Sequence, residues 1–544
     1  MTGPGARTAA LDRLFSSTPS DPLDVLVVGG GATGAGAALD AAARGLKVGL
    51  VERADFASGT SSKSSKLVHG GLRYLEQREF GLVREAATER DLLRRLAPHL
   101  VETLPFVLPM ARRRMRVKFG AGLWAYDALS SFRSIQLHKH LSPEQTEEML
   151  PALPQDKVSG GFLYADCKTD DVRLVMEILI AAARRGATCA NYAPAVDIDG
   201  GEAGCAVVVR DEVTGEEHPV HARRAVVAAG VWADRVERLV RRDAPERLRP
   251  SKGVHLLFSR ADLPVSDAAA LIPDVSGERM LFVIPWHHVV LVGTTDTPYS
   301  GELARPTVDD EDRSYCLEAI NRIFDVELTP EHVVGAYAGL RPLVAGKAGA
   351  TADLSRRHRV YELGPSVVGI TGGKLTTWRR MAADVVDSVA SQIGCSARSS
   401  TRNIRLGSSD IVRLSLAVTR RAALLGIDDA GVASLVRTYG DRSLNVLDIA
   451  REEDSAAPLV EGQPAIEAEA VYCARAEMTV HLEDFLARRT RLALTDRSAG
   501  TEGGRAVTIL GDELGWSGDR RAAENEAYLD AIGSERGLRT RATR

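Results

Sequence analysis

Four residues near the start of the chain have the types and spacing that hold a dinucleotide. Gly29, Gly31 and Gly34 stand in G-x-G-x-x-G order, and Glu52 follows 23 residues after Gly29. The first glycine permits a tight turn, the second lets backbone approach a pyrophosphate, and the third lets a helix pack closely on a strand. A helix that opens at such a turn offers free N–H groups and the positive end of its dipole to phosphates. An acid at the position of Glu52 reaches a ribose hydroxyl. By itself the motif does not separate one dinucleotide from another, and a glycine turn in an ordinary α/β protein is the competing reading.

The flanking residues supply the required elements. VLVV (25–28) reads as a buried strand, the Ala-rich stretch to 43 as a helix, and VGLVE (48–52) as a second strand ending in the acid. Two further segments match this site. AVVAAGVWAD (225–234) is a strand ending at Gly230 with Trp232 beyond it, and it resembles the second flavin motif of two-dinucleotide-domain flavoproteins. Ala229 stands where that group often has Thr, and a plain buried strand with a glycine turn is the alternative. Gly372-Gly373-Lys374, between a buried strand and a helix that begins at Leu375, would point backbone N–H groups and a helix dipole at a flavin ring bearing negative charge.

The wider chain is that of an ordinary folded protein. It has 544 residues, 44% hydrophobic and 26% charged, with 69 basic and 73 acidic residues for a net charge of −4. That balance excludes a dedicated nucleic-acid binder. Six widely spaced cysteines without a CxxC pair argue against a disulfide framework or structural zinc and fit a reducing cytoplasm. Residues 1–22 lack an apolar core and read as a mobile tail rather than a signal peptide. Residues 81–100 and 171–185 have helical spacing, and a hairpin is expected around Thr214-Gly215. Strand signals recur from 251 to 299, at 333–342 and at 367–372. Beyond a linker at 394–408 the pattern is helical, over 409–533.

With GTSSKSSKLVHGGLRYLE (59–76) included, the chain resembles the FAD-dependent, respiratory glycerol-3-phosphate dehydrogenases, within the D-amino-acid-oxidase-like flavoproteins. APHL (97–100), DCKTDDVRLV (166–175), FVIPW with VGTTDTPY (282–299), AGLRPL (338–343) and GGKLTTWRRMA (372–382) carry the same resemblance. HLEDFLARRTRLAL and DELGWS extend it into the C-terminal part. The resemblance implies an α/β fold: a discontinuous FAD domain of the two-dinucleotide type (about 23–100, 160–245 and 335–393), an antiparallel-sheet substrate domain (about 101–159 and 246–334) and a helical C-terminal domain.

It also implies FAD as cofactor and oxidation of sn-glycerol 3-phosphate to dihydroxyacetone phosphate, with hydride leaving C2 for the flavin. A dianionic phosphate needs fixed cations, and the planar fork of Arg suits it. Arg341 in GLRP is the first choice, with a salt bridge as its competing role; Arg73 and Lys374 follow. Tyr74 is a candidate substrate contact. His69 is the candidate base, because its intrinsic pKa lies near neutrality and it precedes Gly70-Gly71. His255 and Lys374 are the alternatives. Asp296 either orients a base or anchors a turn, and the turn is favoured. Among Ser61, Ser62, Ser64 and Ser65, Ser62 is assigned to the cofactor, together with Gly373 and Leu375. No metal cluster is expected, and hydride transfer to flavin requires none.

MARRRMRVKFGAGLWAY (110–126) combines basic residues with interfacial aromatics. Spacing alone favours a solvated face beside core aromatics. The resemblance instead favours peripheral attachment to an anionic membrane at the cytoplasmic face, with membrane quinone as electron acceptor. Leu482, Phe485, Leu486 and Leu492 form a stripe for core packing or a homodimer. The alternatives carried forward are an oxygen-using glycerol-3-phosphate oxidase, an amino-acid oxidase and a non-catalytic flavin binder.

Overall fold

A computed structural model describes residues 5–71, 79–110, 115–129, 136–154, 158–277, 279–344, 357–408, 410–499 and 503–537. Its first layer is a sheet in the order 359–364, 367–371, 217–227, 23–28, 48–51, 188–190. The strands from 367–371 onward are parallel. Val25–Val28 and Val48–Val51 are buried throughout, as expected for parallel strands covered on both faces. The helices Ala32–Ala43, Asp171–Ala183 and Trp378–Gln392 cover it. Small residues let the first and third of these approach closely: a Cβ on Gly36 would lie 2.7 Å from the Trp378 ring. The expected hairpin is present, with Gly204–Arg210 paired against Glu217–Ala222 and Gly215 at φ +80°.

The second layer is a largely antiparallel sheet in the order 297–298, 251–259, 289–293, 280–286, 269–273, 102–109, 161–168, 67–68, with 333–341 also paired to 251–259. Residues 161–168 and 335–341 fall within segments assigned from sequence to the FAD domain, and both belong to strands of the second sheet. Their partners, 102–109 and 251–259, are remote in sequence, so local pattern carried no record of the pairing.

The expected mobile tail is also corrected. Ala6–Phe15 forms a helix that buries Ala10, Leu11 and Leu14, while Arg7 donates to the carbonyls of Asn191 and Tyr192 and pairs with Asp211. Beyond residue 410 the helices enclose a separate core that includes Leu435, Tyr439, Leu447, Phe485 and Leu510. Leu482, Phe485, Leu486 and Leu492 lie inside it, so that stripe is core packing and not a dimer face. Among the described residues no helix is long and apolar enough to cross a membrane.

Buried ion pairs fasten this helical region to the first layer. Arg173 meets Glu477 through two bonds of 2.7 Å, and Arg442 grips Glu177. Arg488 and Arg489 both reach Asp55, at 2.6 and 2.8 Å. Arg491 reaches Asp170 and Asp171, at 2.8 and 2.5 Å.

Candidate functional site

The two sheets and the turns between them enclose a cavity of about 830 Å³. The glycine turn forms part of its wall. Gly29 has φ +117°, and a Cβ there would lie 2.5 Å from the carbonyl oxygen of Ala228 at the end of the neighbouring strand. A Cβ on Gly34 would overlap the Gly29 carbonyl oxygen, so Gly34 fixes helix against strand from outside the cavity. Gly31 precedes Ala32–Ala43 without any side-chain cap, and Gly31, Ala32 and Thr33 face the cavity. Glu52 also faces it and accepts from the Gly30 and Ala54 N–H groups, at 2.6 and 3.0 Å. Burial pushes this carboxyl upward while the two backbone bonds pull it down.

Ser62 is not where the sequence placed it. Its hydroxyl turns inward to donate to the Ser58 and Gly59 carbonyls, and the cavity is lined instead by Ser61, whose Oγ accepts from the Ala32 N–H at 3.0 Å. Successive residues of the 3₁₀ turn Thr60–Ser62 point in different directions, so serine composition alone did not distinguish them. Gly230, at φ +55°, and Trp232 also line it, with the Arg53 guanidinium 4.8 Å from the Trp232 ring centroid.

The same cavity is lined by His69, His255, Arg341, Gly373, Lys374 and Leu375. Gly372 and Gly373 have φ of +77° and +87°, which brings the chain sharply into the helix that follows. In the second sheet Ser251 is registered against Arg341 and His255 against Tyr337, which sets both candidate groups on one face. Arg341 donates to Asp296 at 3.2 Å, Thr294 Oγ1 at 3.1 Å and the Thr295 carbonyl at 3.2 Å. Asp296 is therefore the partner of Arg341 and also accepts from the Ser251 hydroxyl, in place of the turn anchor that the sequence favoured. An acid three residues past a strand-ending glycine carries no mark of a partner 45 residues on.

His255 is buried and stacks on Tyr337, with centroids 4.9 Å apart at 20°. Its Nε2 lies 2.9 Å from Ser65 Oγ. Burial, helped by the positive charges of Arg341 and Lys66, holds its pKa well below 6.5, so the imidazole is neutral. The backbone N–H of His69 donates to Thr376 Oγ1 at 3.2 Å, and its ring meets the edge of Phe282 at 6.4 Å. Beneath it, the Gly70 N–H donates to Asp166 at 3.1 Å, and Asp166 in turn pairs with the buried Arg90 at 2.8 Å. Sequence reading missed Arg90, Asp166 and Lys66. Lys66 lies in the quoted motif but is fully buried against Asp171, and burial lowers its pKa to about 8. Arg73 and Tyr74 lie outside the described residues, as do Arg112, Arg113 and Arg114 of the basic stretch. The helix Met115–Leu129 lines the cavity with Phe119 and Leu123 and exposes Val117 and Trp124.

The cavity thus offers backbone N–H groups to phosphates and a carboxylate to a ribose, and its lining also includes a fixed guanidinium, a lysine and two imidazoles suited to a small anion. The cavity volume suits an extended dinucleotide beside a small substrate.

The profile of the FAD dependent oxidoreductase family matches residues 24–373, and that of the C-terminal domain of alpha-glycerophosphate oxidase matches residues 399–521. Glycerol-3-phosphate dehydrogenase 2 of Mycobacterium tuberculosis is 39% identical over 97% of this chain and 91% of its own. The aerobic glycerol-3-phosphate dehydrogenase of Staphylococcus epidermidis is 34% identical over 97% and 98%. The crystal structure of the glycerol-3-phosphate dehydrogenase of Bacillus halodurans, complexed with FAD, superposes with a TM-score of 0.82 at 30% identity, over 98% of both chains.

Proposed function

The chain belongs to the FAD-dependent oxidoreductases of the glycerol-3-phosphate dehydrogenase family, and from that membership we propose that it oxidises sn-glycerol 3-phosphate to dihydroxyacetone phosphate and passes the electrons to a membrane quinone. The observation that carries the substrate reading is that Arg341, Lys374, His255 and His69 line the same cavity as the glycine turn. FAD, when bound, supplies the hydride acceptor. The residues fit it: the glycine turn and the Ala32–Ala43 N-terminus would hold the pyrophosphate, Glu52 the ribose, and Gly230, Gly373 and Leu375 the remainder.

Arg341 binds the substrate phosphate through its fork, held in place by Asp296 and Thr294, and Lys374 adds a second cation. Arg73 and Tyr74 join them as substrate contacts in this reading. His69 takes the C2 hydroxyl proton, while the neutral His255 hydrogen-bonds the substrate. Phe106, Phe282 and Leu123, which line the same cavity, exclude water from it.

The quinone reading is supported by apolar residues beside the cavity. Phe80 lines it and is 50% exposed, and Trp124, 61% exposed, sits on the helix that lines it with Phe119 and Leu123. These exposed apolar residues suit peripheral attachment to an anionic bilayer at the cytoplasmic side, the reading that the basic residues of the 110–126 sequence also favour. Oxygen as acceptor is the second reading, favoured by the match of residues 399–521 to a domain named for an oxidase.

The test is anaerobic mixing of the yellow protein with glycerol 3-phosphate. Bleaching that does not occur with glycerol or lactate is expected, and a fully loaded flavin that stays yellow would overturn the substrate reading. Return of the colour with a quinone analogue rather than oxygen then decides the acceptor.

A further inference from the structure

We propose that Asp171, held from behind by Arg491 of the helical region, is a positioning residue that fixes the orientation and ring tautomer of His255 through the Ser64–Lys66 turn. The proposal rests on the reading of His255 as a substrate contact.

Asp171 is fully buried and makes more contacts than a helix-capping role requires. Its carboxylate accepts from the Ser64 N–H at 3.1 Å and the Ser64 hydroxyl at 2.7 Å. It also accepts from Lys66 Nζ at 2.8 and 2.9 Å and from Arg491 at 2.5 Å. Capping of Asp171–Ala183 is already supplied by the neighbour Asp170, which accepts from the Arg173 N–H. Lys66 is held in the left-handed region at φ +57°, a conformation that is costly for a non-glycine residue. The fully engaged ammonium offsets that cost: besides Asp171 it donates to the Ser62 carbonyl at 2.5 Å.

Ser65 therefore sits between two residues tied to one carboxylate. The Ser64 Oγ accepts from the Lys66 N–H at 3.1 Å, and the Ser64 carbonyl accepts from Tyr337 at 2.6 Å. Ser65 has little freedom left, and its Oγ meets His255 Nε2 at 2.9 Å. The Tyr337 ring completes the clamp, with His255 stacked at 4.9 Å and Lys66 Nζ 4.9 Å from its centroid. His255 Nδ1 is buried with no hydrogen-bond partner among the described residues. A neutral imidazole donates at one nitrogen and accepts at the other; the Ser65 hydroxyl can take either role, so the direction in which the turn holds that hydroxyl sets the role of Nε2 and with it what Nδ1 presents.

The test reads the imidazole directly. Histidine labelled with ¹⁵N is incorporated into the FAD-loaded protein, and the His255 signals are assigned by their loss in His255→Gln. A single neutral tautomer is expected in the wild-type protein and a mixture in Ser65→Ala, with Ser65→Thr restoring the first pattern. Asp171→Asn is expected to give the mixture too. Because it leaves buried Lys66 without its carboxylate partner and Arg491 with Asp170 alone, it is backed by Ser64→Ala, which removes only the hydroxyl link.

An unchanged His255 signature in Ser65→Ala overturns the proposal. So does a change confined to Ser65→Ala and absent from both Ser64→Ala and Asp171→Asn. Turnover gives an independent arm: kcat falls about ten- to a hundredfold in Ser65→Ala, and the Ser64→Ala/Ser65→Ala double variant is no worse. Additive losses in the double variant would overturn the coupling. If wild-type protein does not turn over glycerol 3-phosphate, the functional reading fails while the spectra still decide the clamp.

Discussion

Arg341 owes its position to an absence of atoms beside it. A Cβ on Gly253 would lie 2.5 Å from Arg341 Nη2 and 2.6 Å from Thr294 Oγ1, so that glycine leaves the space in which the guanidinium meets its partners. Gly253→Ala should displace the fork without touching the glycine turn. We expect KM for glycerol 3-phosphate to rise about tenfold or more, one lost charged hydrogen bond being worth about 1.5–3 kcal/mol, with flavin content unchanged. Steady-state kinetics beside the visible spectrum checks both halves. The residues legible in the sequence at this scale were those whose role lies in their own backbone: Gly29, Gly31 and Gly34 announce themselves by spacing. Asp296, Ser61 and Lys66 were misread or missed because their roles are defined by partners 45, 29 and 105 residues away.

Elements were read best where one strand and one helix sufficed. The βαβ unit, the Gly215 hairpin and the helix after Gly373 all lay in local pattern. The second sheet did not, because 161–168 and 333–341 pair with strands tens of residues away. The βαβ unit makes its own prediction. Gly34→Ala drives a methyl into the Gly29 carbonyl oxygen, so helix and strand must separate by several tenths of an ångström. Purified protein is expected to be colourless and to melt several degrees lower, and a flavin-loaded Gly34→Ala protein would contradict this.

The helix Glu467–Ala476 offers a pH test. Glu469 accepts from the Ile466 N–H at 2.8 Å and from Tyr439 at 2.9 Å, yet burial pushes its carboxyl up to about 7. The folded state therefore favours its protonated form. That contribution is fully present below pH 4.5 and is lost as pH rises through about 7, amounting to at most about 3 kcal/mol. Glu469→Gln should melt with less dependence on pH between 5 and 8 and should exceed wild type at the upper end.

Across the whole molecule the charges are paired inward. Arg442 and Glu177 are buried together, and His99 lies beside them at 3.4 Å from Glu177. Removing one partner leaves a buried charge, so Arg442→Met is expected to cost about 3–5 kcal/mol, and Arg442→Met/Glu177→Gln to recover a good part of it. Thermal melts of the two variants compare them. None of this was legible in composition, where a net charge of −4 gives no hint of which acids face which bases.

The reach of these pairs bears on how the protein is made. Asp55 finds Arg488 433 residues later, and Asp171 finds Arg491 320 residues later. At about 5–20 residues per second, a ribosome takes roughly 20–90 s to deliver the partner of Asp55. During that interval the acids beside the glycine turn and beneath the Ser64–Lys66 turn must stay solvated, because burying them unpaired is prohibitive. The nucleotide fingerprint emerges first, but its surroundings can close only after almost the whole chain has been synthesised.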